Sequence, residues 1–159
     1  MSLRTCSGFL GPAIGSLALA LPGLAAAQSF QLPDLLPNTN RAQAWGVSGD
    51  GGVVSGFSML SGGNYGPGWQ WTPQGGMQPL VGGGFQPNSR SYGISGDGNV
   101  LVGETGPSTY DSPATAYRYN RATGQVQTLG VQPGYARSRG MAASLDGSVV
   151  VGKSFQSES

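Results

Sequence analysis

The sequence predicts an all-β fold, with four-stranded repeat units of about 47–49 residues forming a partial β-propeller-like array. Three observations carry this. First, a block recurs. Ala44-Trp45-Gly46-Val47-Ser48-Gly49-Asp50-Gly51-Gly52-Val53-Val54-Ser55-Gly56 is echoed from Ser91 to Gly103 and again from Met141 to Gly152, so Asp50, Asp97 and Asp146 lie 47 and 49 residues apart. Second, another block follows the first two copies at the same period. Trp69-Gln70-Trp71 leads to Met77-Gln78-Pro79-Leu80, and Tyr117-Arg118-Tyr119 leads to Val126-Gln127-Thr128-Leu129. Third, no 3.6-residue apolar period appears after residue 27, where glycine interrupts every window. The chain holds 29 Gly and 11 Pro, near the low-complexity range, but its three Trp, six Tyr and five Phe argue for a packed fold.

Each unit reads as four short strands. The first lies near Trp45–Ser48 and is closed by an Asp-Gly dipeptide, a hairpin signal in which both turn residues are expected at positive φ. Asp50-Gly51, Asp97-Gly98 and Asp146-Gly147 are therefore structural turns. The second strand covers Val53–Phe57, with counterparts at Val100–Glu104 and Val149–Lys153; its consecutive β-branched residues suit burial on both faces. In the third, Trp69 and Trp71 point one way and Gln70 the other, repeated by Tyr117, Arg118 and Tyr119. The fourth lies near Met77–Val81 and Val126–Leu129. A propeller blade fits this count, with a sandwich of hairpins as the alternative.

The chain divides into a signal peptide at 1–27, a lead-in at 28–43, repeat 1 at 44–90, repeat 2 at 91–137 and a truncated repeat 3 at 138–159. Arg4, an uncharged apolar stretch from Phe9 to Leu24 and the small residues Ala25-Ala26-Ala27 make the export signal, with Gln28 as the first mature residue. Export to the periplasm, the outer membrane or the exterior follows, with no stable membrane span after cleavage. The half-length third repeat leads us to expect a piece of a longer repeat protein, with self-association through open blade edges.

The Gly-Val-Ser-Gly-Asp-Gly-Gly-Val-Val-Ser-Gly run, then Trp69-Gln70-Trp71-Thr72 and Gly75-Gly76-Met77-Gln78-Pro79-Leu80, resembles the HAF family of extracellular repeats over about residues 41 to 155. The resemblance implies a bacterial secreted or cell-surface protein of the kind found as autotransporter passengers. Pro67-Gly68-Trp69 and Thr115-Ala116-Tyr117 replace the His-Ala-Phe triplet. More weakly, Ser48-Gly49-Asp50-Gly51-Gly52 resembles the Asp-box turn of sialidase-type propellers.

Chemistry is sparse. Without Cys6 and with no His, the mature chain has no disulfide, no Cys nucleophile and no zinc site of the usual kind. Seven basic residues after Arg4 balance seven acidic ones, so no nucleic-acid groove is expected. Calcium at Asp50, Asp97 or Asp146 would need several converging oxygens, whereas each repeat offers one carboxylate; turn chemistry explains them better. Gly82-Gly83-Gly84 lacks the Lys-Ser/Thr of a phosphate loop, so no cofactor is expected. Asp34, Glu104 and Asp111 form no motif that would pair two carboxylates for glycoside hydrolysis. The alternating Trp and Tyr read as blade packing before sugar binding. The loops between the second and third strands, Met59–Pro67 and Gly106–Thr115, diverge while the strands repeat, and they nominate Asn64, Tyr65, Tyr110 and Asp111 as ligand-binding residues. The expected function is a non-enzymatic binding or scaffolding module for a glycan or protein; the alternative is a fragment of a propeller-type glycan hydrolase.

Overall fold

The computed structural model describes residues 35–80, 88–106 and 113–156. The signal segment, Gly82-Gly83-Gly84, Tyr110 and Asp111 lie outside the described residues. Ten strands and no helix make up the described chain, an all-β array of antiparallel sheets. The first sheet runs in the order β1 (Thr39–Val47), β2 (Val54–Leu60), β3 (Tyr65–Thr72), β4 (Gly76–Pro79). The second repeats it as β5 (Asn88–Ile94), β6 (Val100–Gly106), β7 (Thr115–Asn120), β8 (Gln125–Gly130). The third holds β9 (Arg137–Ala143) and β10 (Val150–Phe155). The meander within each sheet is a propeller blade's, and it extends the first strand upstream of the Trp45 start suggested by the turn motif.

Blades pack face to face. Val53 and Leu80 of the first join Ile94, Leu101, Tyr117 and Tyr119 of the second in one buried cluster. The alternating aromatics serve this packing: Trp69, Tyr117 and Tyr119 are buried, and Trp71 is partly so. Both faces of β6 are covered, as its run of apolar residues predicts, whereas the equivalent Val149–Lys153 run, expected to be buried in the same way, leaves Val149 and Val151 exposed. Serines fasten the blades. The Gly68 N–H donates to Ser89 Oγ at 3.0 Å, and the Ala116 N–H donates to Ser138 Oγ at 2.8 Å, each bond running from the third strand of one blade to the first strand of the next.

The recurring glycine that ends the Val-Val-Ser-Gly, Val-Leu-Val-Gly and Val-Val-Val-Gly runs has a steric cause. Each first strand carries a bulge that skips one residue: Trp45 in β1, Tyr92 in β5 and Met141 in β9. Beside it, the carbonyl of Gln43, Arg90 or Arg139 closes onto Gly56, Gly103 or Gly152, where an added Cβ would overlap the oxygen. Backbone, not a movable side chain, fills that space. Gly103→Ala is therefore expected to lose about 3 kcal/mol or more by urea denaturation, since overpacking here cannot relax by rotation. Gly124→Ala, at a turn with φ 69° and open space around it, is expected to lose only about 1–2 kcal/mol. Equal losses in the two variants would contradict the steric account.

Candidate functional site

The two ends of the strands differ in chemistry. At one end lie the Asp-Gly turns. Ser48 Oγ donates to Asp50 Oδ1 at 2.6 Å and accepts the Val53 N–H at 2.9 Å, while Asp50 Oδ1 also accepts the Gly52 N–H at 2.9 Å. Ser95, Asp97, Asn99 and Val100 repeat the network, as do Ser144, Asp146, Ser148 and Val149. Within these turns only the glycines Gly51, Gly98 and Gly147 have positive φ; the aspartates do not, contrary to the expectation of two left-handed residues per turn. The reason is that the serine carbonyl accepts from the glycine N–H three residues on, a four-residue turn that places Asp in its interior and leaves glycine alone to reverse the chain. The serine hydroxyl takes the place of a ladder carbonyl, a role the Asp-Gly pattern does not reveal. Each aspartate is thus occupied by its own turn, and the described residues contain no group of three potential metal ligands.

At the other end, the first strands of the blades converge on a cavity of about 330 Å³. Arg41, Gln43 and Trp45 come from β1, two residues apart and so on one face. Phe57 and Met59 come from β2, Tyr65 from β3, Arg90 and Tyr92 from β5, and Arg139 from β9. Trp45 and Phe57 stack with centroids 6.2 Å apart and 17° between planes, and Tyr92 meets both edge-on. The Arg90 guanidinium lies 3.9 Å above the Tyr65 ring, and that of Arg139 lies 4.6 Å from the Tyr92 centroid.

Behind this wall, Glu104 is buried completely. It stands directly across the β5–β6 pair from Arg90. Its Oε1 receives Arg90 at 2.6 Å, Arg139 at 3.1 Å and the Tyr92 hydroxyl at 3.1 Å; Arg137 lies 4.0 Å from Oε2. Burial, with the Glu104 charge adding to it, pushes the Tyr92 phenol well above its ordinary range, so it stays protonated and donates. Glu104 Oε2 and Arg90 Nε are buried and have no hydrogen-bond partner among the described residues.

The loop expected over Met59–Pro67 shrinks to residues 61–64, because β2 runs on to Leu60 and β3 begins at Tyr65; Tyr65 is thus a strand residue that lines this cavity and holds Arg90, whereas Asn64 is exposed in the β2–β3 turn, its carbonyl accepting from the Leu60 N–H. Sequence reasoning missed the arginines. Their signal was positional: Arg90 and Arg139 each precede the turn serine by five residues, at the place where the first repeat has Gln43. Comparison with protein-family models, curated protein sequences and solved structures finds no match to this chain.

The turn network makes a pH prediction. Serine hydroxyls and backbone N–H groups hold Asp50 and Asp97 below 3.8. For Asp146 the Ser148 N–H leads and the Ser144 and Ser148 hydroxyls follow, bringing it to about 2. Because the folded values are depressed, the stabilisation is present above the unfolded carboxylate range and is lost as pH falls through the folded values. For Asp146 that window runs from 3.8 down to about 2. Urea midpoints measured across it should fall less steeply for Asp146→Asn than for the wild type; identical slopes would show that the turn carboxylate is not responsible.

Proposed function

We propose that this chain is a non-enzymatic, exported β-repeat module that binds an acidic sugar in the cavity between its first strands. The observation that carries the reading is the composition of the cavity wall: three guanidinium groups, four aromatic rings and no carboxylate among the described lining residues. Arginine recognises a carboxylate by paired N–H donors, and flat aromatic faces take the apolar side of a ring. A volume of about 330 Å³ suits one sugar unit. Export rests on the N-terminal segment and on the resemblance to HAF-type repeats. It is checked by the mass of the protein recovered from the producing cells, which should correspond to a chain beginning at Gln28; retention of residues 1–27 would overturn it.

The hydrolase reading needs two carboxylates flanking a substrate. Glu104 is engaged by Arg90, Arg139 and Tyr92, and the turn aspartates occupy the opposite strand ends. Binding is therefore favoured over hydrolysis.

Calorimetric titration with glucuronate, and with glucose as its neutral counterpart, tests the proposal. Glucuronate should bind and glucose should bind far more weakly. Arg41→Gln, an exposed rim change, should weaken glucuronate about tenfold, the loss of one charge-assisted hydrogen bond. Equal binding of both sugars would keep a sugar site and remove the acidic preference. Silence to both sugars, with a response to a short Asp/Glu peptide, would replace the sugar by a protein ligand.

A further inference from the structure

Two faces of the array repeat the surfaces that are already joined inside it, yet the residues of both are exposed among the described residues. At the junction of the first and second blades, the turn glycine Gly98 is buried against Val53. At the next junction, Gly147 is buried against Val100 in the same way. The position equivalent to Val53 and Val100 in the third sheet is Val149, which is 58 % exposed where Val100 is 2 % exposed. The position equivalent to Gly98 and Gly147 in the first sheet is Gly51, which is exposed with no atom near its Cα face. The same holds one strand over. Ile94 is buried against Gly46 of the preceding blade, whereas its counterpart Val47 is 61 % exposed. Val102 is buried against Gly140, whereas its counterpart Val151 is exposed.

Turn backbones are joined as well. The Gly49 N–H donates to the Gly96 carbonyl, and the Asp97 N–H donates to the Leu145 carbonyl, both at 2.8 Å. Leu145, exposed at the tip of the third turn, has the position from which the next such bond would run.

We propose that two copies of this chain join head to tail, the Val47–Gly51 face of one seating on the Val149–Val151 face of the other. The occupant is a second copy because this chain already makes the central contact twice with itself, a second-strand valine of one blade seated on the turn glycine of the next, Val53 on Gly98 and Val100 on Gly147. The contact is heterologous: two different surfaces meet, so each copy in a pair retains one open face. This goes beyond the binding reading and does not depend on it.

Light scattering on the purified wild-type chain, with two variants, tests the proposal. Val47→Asp blocks one face and Val149→Asp blocks the other; both positions are exposed, and circular dichroism checks that each variant keeps its β-structure. Wild type should show concentration-dependent association. Each variant alone should be monomeric, and an equimolar mixture should give a dimer that grows no further, since one good head and one good tail remain. A wild-type chain that stays monomeric at the highest attainable concentration would overturn the proposal. So would association that survives in either variant alone, which would mean that another surface is responsible.

Discussion

The contact on which the rest of the architecture turns is the carbonyl of the first strand lying against a bare glycine of the second. It recurs at Gly56, Gly103 and Gly152, always beside the residue the ladder skips. A bulge leaves one residue unpaired, bends its strand and re-aims the side chain. In the first two blades that side chain is Trp45 or Tyr92, and both line the cavity. The backbone defect is thus also the device that supplies the cavity wall with two of its rings. A methyl group at the glycine would push the strands apart and disturb both.

On this repeated frame, equivalent positions carry different chemistry. Gln43, Arg90 and Arg139 share one place, and the residues opposite them are Phe57, Glu104 and Lys153. The difference breaks the internal symmetry. Blade one contributes rings, blade two the carboxylate and its arginine, and blade three a further arginine that reaches back to the same Oε1. Burying a carboxylate costs several kcal/mol unless charge and hydrogen bonds offset it. Glu104 meets that demand at one oxygen and much less at the other, from which Arg137 stands 4.0 Å away.

How much of this could be read in the sequence depends on the range of the interaction. The blade unit, the four-strand order and the packing role of Trp69, Tyr117 and Tyr119 follow from periods of two and of nearly fifty residues. Both periods are visible in one dimension. The turns were legible in position and not in geometry, because the Ser48, Ser95 and Ser144 hydroxyls act across five residues on the backbone of Val53, Val100 and Val149. The arginine cluster was not legible. Arg139 reaches Glu104 over 35 residues and between blades, and no local spacing encodes that. Tyr65 was nominated because it falls in a stretch that diverges between repeats, and the structure places it at the start of β3 in the cavity wall; Asn64, nominated by the same rule, lies in the β2–β3 turn.

The separation of the two strand ends bears on what kind of chemistry the site can perform. A general acid needs a proton it can lose near working pH, and a nucleophile needs to be accessible. Tyr92 holds its proton, since burial and the neighbouring Glu104 charge both oppose phenolate formation. Glu104, completely buried behind the guanidinium groups, has its accepting oxygen occupied by Arg90, Arg139 and Tyr92. What faces the cavity is instead a set of donors and rings held in place from behind. That arrangement is what supports the proposed recognition of an acceptor-rich ring, with the carboxylate acting through the residues it positions.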